Sequence, residues 1–161
     1  MPSFKKEELE TILQTKINNQ DLYISAFTHR SYLNEHRSFA LPHNERLEFL
    51  GDAVLELCST EYLYRNYPHP EGELTNFRSA LVNYKMLSEI ANRIGLEQYL
   101  LMSRGEAKDT GRARQVILAN AIEAVIGAIY LDGGMKASEA FIHRHILSHL
   151  PKILELELYV D

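Results

Sequence analysis

The stretch HNERLEFLGDAVLEL, His43–Leu57, decides the fold. Stepped at about 100° per residue, it puts Glu45, Glu48 and Asp52 in one sector, at i, i+3 and i+7. Leu47, Leu50, Val54 and Leu57 fall opposite them. The pattern predicts a two-faced helix, one side core and the other a column of carboxylates. Like charges at this spacing repel by a few tenths of a kcal/mol per pair, so the column serves the fold poorly and suits a divalent cation. Phe49 breaks the rule, because it stands beside the acids. A large aromatic there is either exposed or an anchor for something that covers it.

Working outward, Asn44 is placed to cap this helix, and Glu45 also suits the positive end of the helix dipole. Glu48 and Asp52 lie too deep for that explanation. The helix is predicted to run to about Asn66. YPHPEGE at 67–73 then breaks it, with Glu71 in the turn. Leu74–Gly95 reads as helix, in two pieces near Asn83, with Gly95 as the stop. Upstream, Phe4–Thr15 reads as a short amphipathic helix, and Asp21 is placed to cap a second, through about Thr28. Two basic polar stretches, THRSYLNEHRS at 28–38 and SRGEAKDTGRAR at 103–114, read on composition as solvated loops, with phosphate contact as the functional alternative.

The second informative stretch is QVILANAIEAVIGAIYLDGG, 115–134. It is apolar or small all round, the mark of a helix buried on every side. Asn120 and Glu123 stand in it at i, i+3. An unpaired buried carboxylate is costly, so Glu123 must be neutralised, hydrogen-bonded to Asn120, or brought to Glu48 and Asp52 around a cation. Gly133 and Gly134 are expected to stop the helix. A last helix is expected over Lys136–His149, disturbed at Pro151, with LELELYVD as a frayed end and His143, His145 and His149 on the surface. No stretch reads as a strand, so the class is all-α.

The bulk properties narrow the field. A chain of 161 residues with 45% hydrophobic and 24% charged residues suits one soluble domain. A net charge of −5 argues against holding nucleic acid by charge alone. Cys58 is the only cysteine, which excludes an internal disulfide and a cysteine-based zinc site. With no Sec-type N-terminus, the expected location is a reducing cytoplasm. Val116–Leu131 is short for a membrane span and carries Asn120 and Glu123, so no membrane partner is expected. Carboxylates with an amide oxygen are hard ligands, which favours Mg2+ or Mn2+ and points to phosphodiester hydrolysis.

The run NERLEFLGDAVLEL at 44–57 resembles the signature of ribonuclease III nuclease domains. THRSY at 28–32, EGELTNFRSALV at 71–82 and ILANAIEAVIGAIYLD at 117–132 follow that family in the same order. The resemblance covers nearly the whole chain. It implies an all-α homodimer that cuts double-stranded RNA with Mg2+ in rRNA and other RNA processing. The products implied carry 5′-phosphates and short 3′ overhangs. Glu48, Asp52 and Glu123 match the catalytic metal-binding carboxylates, with Asp52 and Glu123 foremost. Asn120 stands where the family usually has aspartate. Glu45 and Glu71 match acids tied to RNA contact and cleavage, and Phe49 matches the aromatic that enters the partner subunit. The expected layout is a nuclease domain over residues 1–155 and the start of a linker or disordered tail over 156–161, without the usual double-stranded RNA-binding domain. Two other readings are an RNA-binding or ribosome-associated structural protein, supported by Asn120, and a metal-dependent phosphohydrolase of small nucleotides.

Overall fold

A computed structural model describes the backbone of residues 4–160 and the side chains through residue 156. The helices are α1 (Lys6–Leu13), α2 (Gln20–Ala26), α3 (Arg30–Glu35), α4 (Glu45–Asn66), α5 (Glu71–Leu81), α6 (Tyr84–Arg93), α7 (Arg104–Lys108), α8 (Arg112–His145) and α9 (Leu150–Val160). Among the described residues there is no strand. One isolated bridge joins Thr28 to Leu101. The class is all-α, as expected.

Helices α4 and α8 form the most extensive pairing in the molecule, and α6 and α2 pack on α8 from other sides. The apolar run of α8 is buried from Ile117 to Ala119 and from Val125 to Ile129. The stretch Arg112–Leu156 is long and apolar enough to cross a membrane by length and composition, against the expectation of too short a run. Yet 61% of its most apolar window is buried inside the protein, which is how a core helix earns such a composition.

What brings α4 and α8 so close is a pair of glycines. A Cβ on Gly51 would run into the carbonyl of Glu123 and come within 2.9 Å of the Gly127 nitrogen. A Cβ on Gly127 would run into the Leu47 carbonyl. The two backbones touch at this crossing. A glycine inside a helix costs about 1 kcal/mol relative to alanine, and close approach is the physical return for it here.

Several local expectations are corrected. The 28–38 stretch is not a loop: His29 caps α3, its Nδ1 accepting from the Ser31 backbone N–H at 3.1 Å, and Tyr32 is buried. Asn44 precedes α4 but does not cap it with its side chain. It is buried, and its Nδ2 donates to the Ala26 carbonyl at 2.9 Å. Asn19, not Asp21, caps α2. The 103–114 stretch contains α7, capped by Ser103. Arg114 there is mostly buried, paired with Glu97 and donating to the Ala107 carbonyl at 2.8 Å. Glu71 opens α5 and does not lie in the turn before it.

The break near Asn83 holds, with Asn83 Oδ1 accepting from the Met86 N–H at 2.9 Å. Gly95, at φ 86°, ends the next helix as expected. At the C-terminal side, Gly134 (φ 87°, ψ −177°) leaves helical geometry and divides the Arg112–His145 run into two helices across a kink, as expected of the glycine pair. Pro151 lies in the first turn of α9, where its missing N–H costs nothing, so it opens a helix and does not disturb one. The backbone expected to fray is helical to Val160. His145 is half-buried against Phe141 and is not a surface residue.

Candidate active site

Helix α4 has three faces, not two. Leu47, Gly51, Val54, Leu55 and Cys58 are buried against the core. Glu45, Glu48, Asp52 and Glu56 follow one another along a second face. Phe49, Ala53, Leu57 and Tyr64 form an exposed apolar third, with Phe49 82% and Leu57 56% accessible. Leu57 therefore belongs with Phe49 and not with the core leucines. Period alone separates acids from apolar residues but cannot tell an apolar face that meets the core from one that meets another molecule.

The Gly51–Gly127 crossing places α8 beside the acidic face. Glu123 comes within hydrogen-bonding reach of Asp52. Burial, then that hydrogen bond, then the charges of Asp52 and Glu48 push the Glu123 carboxyl up to about 9. Glu48 is also raised, by burial first and then by Glu45 and Asp52. So Glu123 lies near Asp52 and Glu48, and burial first of all keeps its proton on at neutral pH. No lysine or arginine among the described residues forms an ion pair with these three acids.

The other candidates are placed as follows. Glu45 sits 3.5 Å from Arg30 and 3.8 Å from His43, at the edge of the cluster. Asn120 lies one turn before Glu123 and is half-buried. Glu71 lines a separate cavity of about 420 Å3 between α4 and α5, with Thr60, Tyr64, His69 and Arg78. Phe49 stands free in the single chain.

Among the described residues, no three His, Cys, Asp or Glu side chains already form a cage around a metal position. The donor chemistry nonetheless fits Mg2+. That ion is held by one or two carboxylates and keeps waters for the rest. Glu123, held protonated by burial beside Asp52, would have to lose that proton before serving as a ligand.

The raised Glu123 carboxyl has a pH signature. A carboxyl raised in the folded state binds its proton in the native chain over pH values where the unfolded chain has lost it. Stability therefore falls as pH rises from the unfolded value, 4.5, through about 9. The metal-free chain is expected to melt at least about 3 °C lower at pH 9 than at pH 6, equivalent to about 1 kcal/mol. Saturating Mg2+ is expected to restore most of the difference. A calorimetric scan at the two pH values checks it, with Glu123→Gln expected to flatten the dependence.

The profile of the ribonuclease-III-like family matches residues 19–150. The chain belongs to that family. A ribonuclease 3 of Carboxydothermus hydrogenoformans is 50% identical over 137 residues, covering 84% of this chain and 58% of that relative. One from Streptococcus thermophilus is 43% identical over 148 residues, covering 91% and 65%. The chain thus spans about six tenths of the length of such curated relatives. The crystal structure of the nuclease domain of ribonuclease III from Campylobacter jejuni superposes with a TM-score of 0.80 at 39% identity, covering 94% of this chain and 98% of that one. A second structure of the same domain, described for flexibility in its region of dimer formation, gives 0.81 at the same identity.

The ribonuclease-III-like fold thus rests on residues that periodicity passed over. Gly51 and Gly127 set the spacing between Asp52 and Glu123, and their signal was a glycine inside each strongly helical stretch with no turn to explain it. Arg78 and Glu56, on the α4–α5 seam, went unnoticed as ordinary surface charges.

Proposed function

We propose that this chain is the nuclease domain, residues 1–155, of a divalent-metal-dependent endoribonuclease that cuts double-stranded RNA. It acts in the cytoplasm as a homodimer, releasing 5′-phosphate and 3′-hydroxyl ends with short 3′ overhangs, in rRNA or other RNA processing. The observation that carries the reading is the Asp52–Glu123 pair, two carboxylates brought close at a backbone-to-backbone crossing with no basic partner among the described residues. Membership of the ribonuclease-III-like family supports the substrate class.

A bound Mg2+, or Mn2+, would supply activation of water and charge neutralisation at the leaving 3′ oxygen. Asp52 and Glu123 would hold it, with Glu48 and the Asn120 carbonyl oxygen completing the protein's share. Glu123 would have to be deprotonated to hold the cation, so metal binding would release a proton near neutral pH. Glu45, flanked by Arg30 and His43, supports the RNA strand at the edge of the cluster, and Glu71 does so from the separate cavity between α4 and α5. Asn120 removes one negative charge relative to aspartate, so this chain needs more metal for the same occupancy. Asn120 also supports a second reading, a weakened or inactive member that binds RNA as a structural protein.

Cleavage tests with long duplex RNA, the same sequence single-stranded, and a nucleoside triphosphate separate the classes. Endonucleolytic cutting of the duplex alone supports the proposal. Hydrolysis of the triphosphate with an intact duplex would overturn it.

The exposed face of α4 supports the dimer. Phe49, Leu57 and Tyr64 offer large apolar surfaces on one face, of the kind a second copy of the chain would cover across a two-fold axis. Phe49→Ala is expected to weaken dimerisation by about 2 kcal/mol, roughly 30-fold in the dissociation constant. Sedimentation over a concentration series reads it directly. A dissociation constant equal to wild type would contradict this role for Phe49.

A further inference from the structure

Two concavities of this surface share one residue. The cavity that holds Glu71 is lined on one side by Arg78. A second recess, of about 170 Å3, is lined by Asp52, Glu56, Ser79, Val82 and again Arg78. The charged side chains lining the two are Asp52, Glu56 and Glu71, with Arg78 as the one permanent cation. A polyanion passing from one concavity to the other meets repulsion at each carboxylate and attraction at this guanidinium.

Arg78 is also held in place. Its Nη1 donates to Thr60 Oγ1 at 2.7 Å, and Nη2 lies 3.7 Å from Glu56. About a third of the side chain remains open to solvent. The fork keeps N–H groups beyond these two contacts, in a geometry that suits phosphate oxygens. The contacts supply order in advance, so less rotamer freedom is lost when a ligand arrives.

We propose that Arg78 is a substrate-contacting residue, which binds an RNA phosphate and fixes the strand between the Asp52 recess and the Glu71 cavity. The inference rests on the nuclease reading above. The competing role is purely structural: a pin that holds α5 on α4.

The test is the salt dependence of binding to a short RNA duplex, with Ca2+ in place of Mg2+ so that binding is read apart from cutting. Wild type, Arg78→Gln and Arg78→Lys are compared, with melting temperature and sedimentation mass measured on each. The expected result is a plot of log affinity against log salt that is shallower by about one in Arg78→Gln. Arg78→Lys keeps the charge without the fork, so it is expected to keep most of the slope. Slopes that coincide in all three overturn the proposal, and so does a slope lost equally in both variants, which marks a pin. If wild type binds and cuts duplex RNA while the slopes coincide, this inference fails alone. If wild type does not bind duplex RNA, the nuclease reading fails with it.

Discussion

Glu123→Gln is expected to abolish cleavage of duplex RNA, by about 10^3-fold or more at saturating metal, while leaving the fold intact. The argument separates activity from stability. Glutamine has nearly the shape of the protonated glutamate, and Glu123 is protonated in the metal-free chain at neutral pH. Its half-buried position beside Asp52 therefore accepts the amide without a new unpaired charge. The amide cannot become the anion that a cation needs, so the loss falls on the charge stabilisation of the reacting phosphate. Removing one group of that kind from a preorganised site commonly costs about 10^2–10^3 in rate, and loss of the cation itself costs more. Melting at pH 6 is expected to match wild type. A variant that still cuts at a tenth of the wild-type rate would show that Glu123 is not part of the reacting centre.

Gly51→Ala is expected to give the largest loss of stability of any single methyl added to this chain. The added Cβ meets the Glu123 carbonyl and the Gly127 nitrogen, which are backbone atoms of a buried helix and cannot swing aside. The two central helices must separate. Overpacking of this kind costs about 1–3 kcal/mol and sometimes more, against about 1 kcal/mol gained from alanine's helix preference. A net loss of about 2 kcal/mol corresponds to a melting temperature roughly 4–8 °C lower. The same separation pulls Glu123 from Asp52, so activity is expected to fall further than the unfolded fraction explains. Gly72→Ala is the control. Its Cβ meets nothing within 4 Å, and the change is expected to be neutral or slightly stabilising. Thermal melts of the pair decide the point; equal melting of Gly51→Ala and wild type would contradict the crossing.

How far the sequence could be read depended on whether the signal was local. The start of α4 at Glu45 and its end at Asn66 were legible, because the acids, leucines and prolines that define it act within a few turns. Coupling of Glu123 to the α4 acids was legible too, because a carboxyl in an apolar helix has few affordable partners. Leu57 was misplaced because an exposed apolar face and a core face have the same period. The 28–38 and 103–114 stretches were misread for another reason. Their helical turns depend on caps from His29 and Ser103, and on Tyr32 and Arg114 being buried, whereas composition registers only polarity. Asn44 carries a cap's identity but spends its side chain on the Ala26 carbonyl, a bond between parts of the chain that spacing cannot foresee. The glycine crossing lay in plain view as two unexplained helix-interior glycines.

The most direct test of the central claim is cutting of a long RNA duplex at low salt, with Mg2+ and then Mn2+ titrated over wild type, Glu123→Gln and Asn120→Asp. The account predicts that wild type cuts, that Glu123→Gln does not, and that Asn120→Asp reaches half-maximal rate at a lower metal concentration, because the added charge tightens the cluster. A wild-type chain inert at every metal concentration, with Asn120→Asp equally inert, would contradict it.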